Sequence, residues 1–159
     1  QKAAEQGSSA GLSLLGECLY QGRGVPKSAA QARKLWKAAA ESGEPTALLN
    51  LGDDCAARGD NGKALLWYRR ARQNAAAVPD IEYTPRVCLR LAQFETRYTS
   101  RKKALAQAAE ARQAFTILQR EHEPGADRWL QEAEQLLYAL THEPPTAPAA
   151  YNIESLQLD

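Results

Sequence analysis

The chain contains no methionine, only two phenylalanines and three cysteines in 159 residues. Val and Ile are scarce as well, so β-strands have few candidates. Three cysteines cannot all pair within one chain. None of Cys18, Cys55 and Cys88 sits in a CxxC or Cys/His spacing, which leaves no zinc pattern. All three fall in predicted helices, where buried free thiols are expected. No apolar run approaches the length needed to span a bilayer, so no membrane insertion is expected. No secretory signal is visible either. The formal charge is only +1, which argues against nucleic acid or an anionic membrane as partner. Arg69-Arg70-Ala71-Arg72 and Arg101-Lys102-Lys103 are read as solvated helix faces.

Alanine takes the place of the missing residues. It has the highest intrinsic helix propensity and little bulk. The expectation is an all-α domain whose helices approach closely over small side chains.

An internal repeat organises the first half. Gly7-Ser-Ser-Ala-Gly-Leu-Ser-Leu-Leu-Gly16 aligns with Gly43-Glu-Pro-Thr-Ala-Leu-Leu-Asn-Leu-Gly52, 36 residues later. Each unit reads as two helices. The first is predicted from about Ser9 to Gln21, with Leu12, Leu15 and Leu19 as its apolar stripe. Gly16 offers a place of close approach. Gly22-Arg23-Gly24-Val25-Pro26 breaks the helix, and Ser28 caps the next one. That helix carries Ala32, Leu35, Trp36 and Ala39 on one face and stops at Gly43. Pro45 opens the second unit in a first turn, where its missing N–H costs nothing. Leu48, Leu51 and Cys55 continue the stripe. Gly59-Asp60-Asn61-Gly62 turns, and Ala64, Trp67, Tyr68 and Ala71 line the partner helix.

Beyond this the pattern degenerates. Asn74 to Thr84 is expected to be a longer loop, and Thr84-Pro85 the start of a helix carrying Cys88, Leu91 and Ala92. Glu95 is a poor core residue, and Phe94 is expected inward in its place. A partner helix follows from about Ser100 to Glu121, with Leu105, Ala108, Phe115 and Leu118 inward. A last amphipathic helix carries Trp129, Leu130, Ala133, Leu136, Leu137 and Leu140 and is expected to close the core. The expected organisation is a helical repeat domain over 1–141. Residues 1–7 form the end of a preceding repeat, 8–43 and 44–74 are repeats, 84–121 is a degenerate repeat and 125–141 a capping helix. An extended C-terminal tail occupies 142–159. Because the chain does not open on Met and its first residues match a repeat end, a longer native protein is expected.

The quoted residues resemble the Sel-one-like repeat (SLR), a branch of the tetratricopeptide repeat (TPR) superfamily. The first unit supplies Leu15-Gly16, Gly22-Arg23-Gly24-Val25, Ala32, Leu35-Trp36, Ala39-Ala40 and Gly43. The second supplies Ala47, Leu51-Gly52, Ala64, Trp67-Tyr68 and Ala71. Leu19 and Cys55 depart from the family's aromatic, and the second unit lacks Gly-x-Gly-Val. The resemblance implies a right-handed α-α superhelix (a TPR/SLR-like solenoid) of about three helix pairs. It also implies a non-enzymatic scaffold or adaptor for another protein or an extended peptide, in many members a bacterial one at the cell envelope or periplasm. An immunity or inhibitor protein that occludes a toxin is the alternative it leaves open, and self-association is compatible with it.

Ligand contacts in that superfamily come from the first helix of each pair, on the concave side. Carried onto this sequence, they are Ser13, Glu17, Tyr20 and Gln21 in the first unit. Leu49, Asp53, Ala56 and Ala57 follow in the second, and Arg86, Leu89, Gln93, Thr96 and Arg97 in the third. Glu17 and Asp53 make an acidic end of this row, and Arg86 and Arg97 a basic one. Tyr20 is the expected aromatic anchor.

Signals for catalysis are weak. Gly24-Val25-Pro26-Lys27-Ser28 lacks the preceding strand, the Gly spacing and the Gly-Lys step of a phosphate loop. His122 and His142 lie near predicted helix ends, where the helix dipole accounts for them. Neither has a nucleophile motif beside it. No catalytic residue, cofactor or metal is expected.

Overall fold

The computed structural model describes residues 2–77, 83–98 and 100–142, with side chains for 8–77, 83–95 and 100–142. All seven regular elements among these residues are α-helices. They fall into two compact units, 1–74 and 75–159.

The first unit holds α1 (Lys2–Gln21), α2 (Ala29–Glu41), α3 (Pro45–Ala57) and most of α4 (Asn61–Ala77). The short connections force neighbouring helices to pack as hairpins. Ser28 caps α2 from an extended conformation, its hydroxyl accepting from Gln31 N at 3.4 Å. Glu44 caps α3 in the same manner, accepting from Ala47 N at 2.6 Å, with Pro45 in the first turn. Gly43, at φ 75°, makes the left-handed stop between α2 and α3 that a Cβ would strain. The Asn74 amide donates to its carbonyl at 2.9 Å, so the end of the second helix pair is fastened to the junction of the two pairs.

The two pairs are locked in the same way. Gly16 of α1 lies under the Trp36 indole of α2, and Gly52 of α3 lies under the Tyr68 ring of α4. Both rings are buried. The Trp36 Nε1–H donates to Ser13 O at 3.1 Å, and the Tyr68 hydroxyl donates to Asp53 Oδ1 at 2.5 Å. Each aromatic side chain therefore covers a glycine and hydrogen-bonds to the facing helix, which satisfies its polar end.

The second unit holds α5 (Tyr83–Tyr98), α6 (Arg101–Arg120) and α7 (Ala126–His142). Its core has two parts. Cys88, Leu89, Ala111, Phe115, Leu118 and Ala133 form one, with Trp129 and Leu130 against it. Ala92, Ala104, Ala108 and Leu140 form the other. Ser100 caps α6, and Arg101 Nε donates to Leu140 O at 2.8 Å, which ties the start of α6 to the end of α7.

Several expectations need correction. Helix α1 runs through Gly7 instead of beginning near Ser9. A glycine ends a helix by turning left-handed, as Gly43 does, and in a helical conformation it costs only about 1 kcal/mol. Helix α4 continues to Ala77, past the start of the expected loop at Asn74, because Ala75-Ala76-Ala77 favours helix. Leu15 is 45% exposed, whereas its equivalent Leu51 is 2% exposed. Helix α3 has α2 packed on it, while among the described residues no helix pair precedes α1. Glu95 is buried, and Phe94 is the half-buried neighbour. The Glu95 carboxylate is acceptable there because Gln107 Nε2 donates to it at 2.9 Å. The tail expected from 142 onward lies outside the described residues apart from His142, the last residue of α7.

Candidate partner-binding surface

In the first unit the candidate residues sit on α1 and α3, the leading helices of the two pairs. Glu17 and Asp53 directly follow the two seat glycines, 36 residues apart, and therefore occupy the same place in each pair. Both are half-buried. Asn50 Nδ2 of α3 donates to Glu17 Oε1 at 3.1 Å, so the first carboxylate bridges the two leading helices. Asp53 is oriented by the Tyr68 hydroxyl. Tyr20 stacks at a tilt of 45° on Trp36, with ring centroids 5.2 Å apart. It is half-buried and held, which lowers the entropy cost of any contact it makes. Gln21 is exposed at the end of α1. Ala56 is half-buried and Ala57 exposed.

Ser13 and Leu49 are placed differently from the expectation. They occupy equivalent positions and are 2% and 1% exposed. That position faces inward in both pairs, so neither side chain has surface to offer a partner. Ser13 Oγ is buried without a hydrogen-bond partner, although the Ser13 carbonyl accepts from Trp36.

In the second unit Leu89 is likewise a core residue at 2% exposure, packed with Phe115 and Leu118. Arg86 lays its guanidinium over the Trp129 ring, 5.3 Å from the centroid. Gln93 is half-buried and accepts from Arg90 at 3.3 Å. The side chains of Thr96 and Arg97 lie outside the described residues.

One charged group escaped the sequence reading. Asp54 is 3% exposed and accepts from Arg33 of α2 at 3.2 Å and from Arg58 at 3.0 Å. It fastens the first helix pair to the second through charge-assisted hydrogen bonds. The Asp53-Asp54 doublet with Arg58 four residues on was the available signal, but it does not reveal which carboxylate turns inward. Beside it, burial pushes the Cys55 thiol above its ordinary value; Asp54 and Asp60 add to that rise and Arg58 opposes it. This thiol is held protonated, the opposite of what a nucleophile needs.

His122 and His142 both lie at helix ends. His122 follows α6 at φ 61°. His142 stacks on Tyr138, with Nδ1 3.0 Å from Tyr138 O. Among the described residues no group of three His, Cys, Asp or Glu is placed to hold a metal ion. No helix among them is long and apolar enough to cross a membrane.

The Sel1 repeat family model matches residues 9–44 and 45–74, which together are less than half of the chain. No curated protein and no solved structure matches the chain. The matched segments coincide with the two helix pairs that carry the Gly16–Trp36 and Gly52–Tyr68 seats, and over residues 9–74 the chain is similar to the Sel1 repeat of the tetratricopeptide-like superfamily.

Proposed function

We propose that this protein is a non-catalytic interaction module that holds a basic, extended segment of another protein against α1 and α3. Sel1 repeats generally mediate protein–protein interaction. What supports the finer reading is the pair of carboxylates, Glu17 and Asp53, at equivalent places on adjacent leading helices, with Tyr20 beside the first. A Lys or Arg side chain meets a fixed acceptor at each step of one repeat. Exposed pairs of this kind contribute modestly to affinity, and their arrangement selects the partner.

The test is recovery of the partner by affinity capture and mass spectrometry, followed by titration of that partner against Glu17→Gln, Asp53→Asn and the double variant. These substitutions keep the oxygens that accept from Asn50 and Tyr68, so the far-ultraviolet circular dichroism stays unchanged. The double variant is expected to bind at least tenfold more weakly, with a smaller dependence on salt. Equal affinity of wild type and double variant for the recovered partner overturns the assignment to this surface.

A further inference from the structure

The second unit carries an open groove of 840 Å³ along the outer side of α6. Ala106, Ala109 and Ile117 are its apolar lining, Glu110, Arg112 and Arg120 stand along it, and Glu134 of α7 also lines it. Ile117 is 45% exposed, whereas Phe115 and Leu118 of the same helix are fully buried and Leu105 is partly buried. We propose that this groove is a docking site for the chain's own residues 151–158.

Three observations single out that occupant. The first is where the helices lead. Because Arg101 Nε holds Leu140 O at 2.8 Å, the chain leaves α7 beside the N-terminal end of α6, at one end of the groove. The second is reach. The lining from Ala106 to Arg120 is about 21 Å long at helical rise. An extended eight-residue segment covers about 26 Å. Residues 143–150, rich in proline, add an arm of about 25 Å when extended. The segment reaches the whole groove without stretching. The third is complementarity. Residues 143–159 contain Glu143, Glu154 and Asp159 and no Lys, Arg or His. The basic groups of the groove are Arg112 and Arg120, beside Glu110 and Glu134, and Arg101, Lys102 and Lys103 lie outside it at the start of α6. Ile153, Leu156 and Leu158, interspersed with polar residues, supply apolar side chains for the alanine and isoleucine lining.

Docked in this way, the segment covers Ile117 and sets Glu154, its one charged residue, against a helix of net positive charge. A second ligand of the same chemistry, acidic and alternately apolar, would then have to displace it. The proposal is independent of the basic-segment surface on α1 and α3 and uses none of its residues.

Paramagnetic relaxation in the full chain tests it. A nitroxide is attached at S155C in a Cys18→Ser background, Cys55 and Cys88 being buried. The expected result is loss of amide cross-peak intensity over residues 106–120, unchanged on dilution and reversed by either Ile117→Asp or Ile153→Asp. Ile117 is exposed enough that its substitution leaves the dispersed spectrum intact. Full intensity over 106–120 in the labelled chain overturns the proposal. So does broadening that appears only when isotope-labelled chains without nitroxide are mixed with nitroxide-labelled ones, because the occupant is then a second copy.

Discussion

Substituting alanine at three glycines of the same unit separates close approach from helix propensity. In a helix interior, Gly→Ala alone stabilises by about 0.5–1 kcal/mol. Gly11 of α1 meets nothing within 4 Å, so Gly11→Ala should show that gain undiminished. At Gly16 the added Cβ would lie 2.5 Å from Trp36 Nε1 and 2.7 Å from Cδ1. The indole cannot simply retreat, since it donates to Ser13 O. At Gly52 the Cβ would come closer still to Tyr68 Cε1, and that ring is held by Asp53. Overpacking of this kind costs about 1–3 kcal/mol, which exceeds the propensity gain. Gly16→Ala and Gly52→Ala are therefore each expected to destabilise by about 1–2 kcal/mol after subtraction of that gain. Urea unfolding followed by circular dichroism and tryptophan fluorescence reads this as a midpoint lower by roughly 0.5–1 M, at a slope of about 2 kcal/mol/M. Gly11→Ala moves the midpoint upward. If Gly52→Ala also moved it upward, the two glycines would not be seats, and the shared packing of the two pairs would be wrong.

Other perturbations have definite signs. His122 holds a left-handed φ of 61° after α6, so His122→Gly should relieve strain of about 1–2 kcal/mol and, after the entropy cost of glycine, raise stability in thermal melts by roughly 0.5–1 kcal/mol. Asp54→Ala leaves Arg33 and Arg58 without their shared acceptor and should cost about 1–3 kcal/mol in the same urea assay, whereas an exposed carboxylate such as Glu121 should cost close to nothing. The buried Cys55 thiol should alkylate far more slowly than Cys18 at pH 8. Since its folded pKa is raised, its contribution to stability is present below the ordinary thiol range and is lost as pH rises through the folded value. Cys55→Ala should flatten that alkaline decline in urea midpoints measured across pH 8–10.5.

The helix pairs were legible because two signals coincide in each: a glycine in the leading helix and an aromatic residue in the partner helix. Trp36 and Tyr68 need that small residue opposite them, so the requirement appears directly in the letters. Caps and stops were equally readable, since Ser28, Pro45 and Gly43 each have a local reason for their place. What periodicity could not supply was the neighbour of each face. Ser13 reads as polar surface, yet it shares the inward position of Leu49. Leu15 reads as core, yet it lacks the covering that Leu51 receives. Glu95 reads as a misfit until Gln107, twelve residues on, is seen to donate to it. Asp53 and Asp54 are adjacent identical letters with opposite fates, because only the second faces Arg33. In the candidate surface, the groups that hold Glu17, Tyr20 and Asp53 (Asn50, Trp36 and Tyr68) come from other helices and were not visible in sequence.

The central claim is that two Sel1 repeats are closed by the same glycine-under-aromatic contact, and proton nuclear Overhauser spectroscopy measures it directly. Cross-peaks are predicted from the Gly16 α-protons to the Trp36 indole and from the Gly52 α-protons to the Tyr68 ring, with both glycine resonances moved upfield by the ring above them. Absence of either cross-peak, with the glycine resonances at ordinary helical positions, would contradict the account.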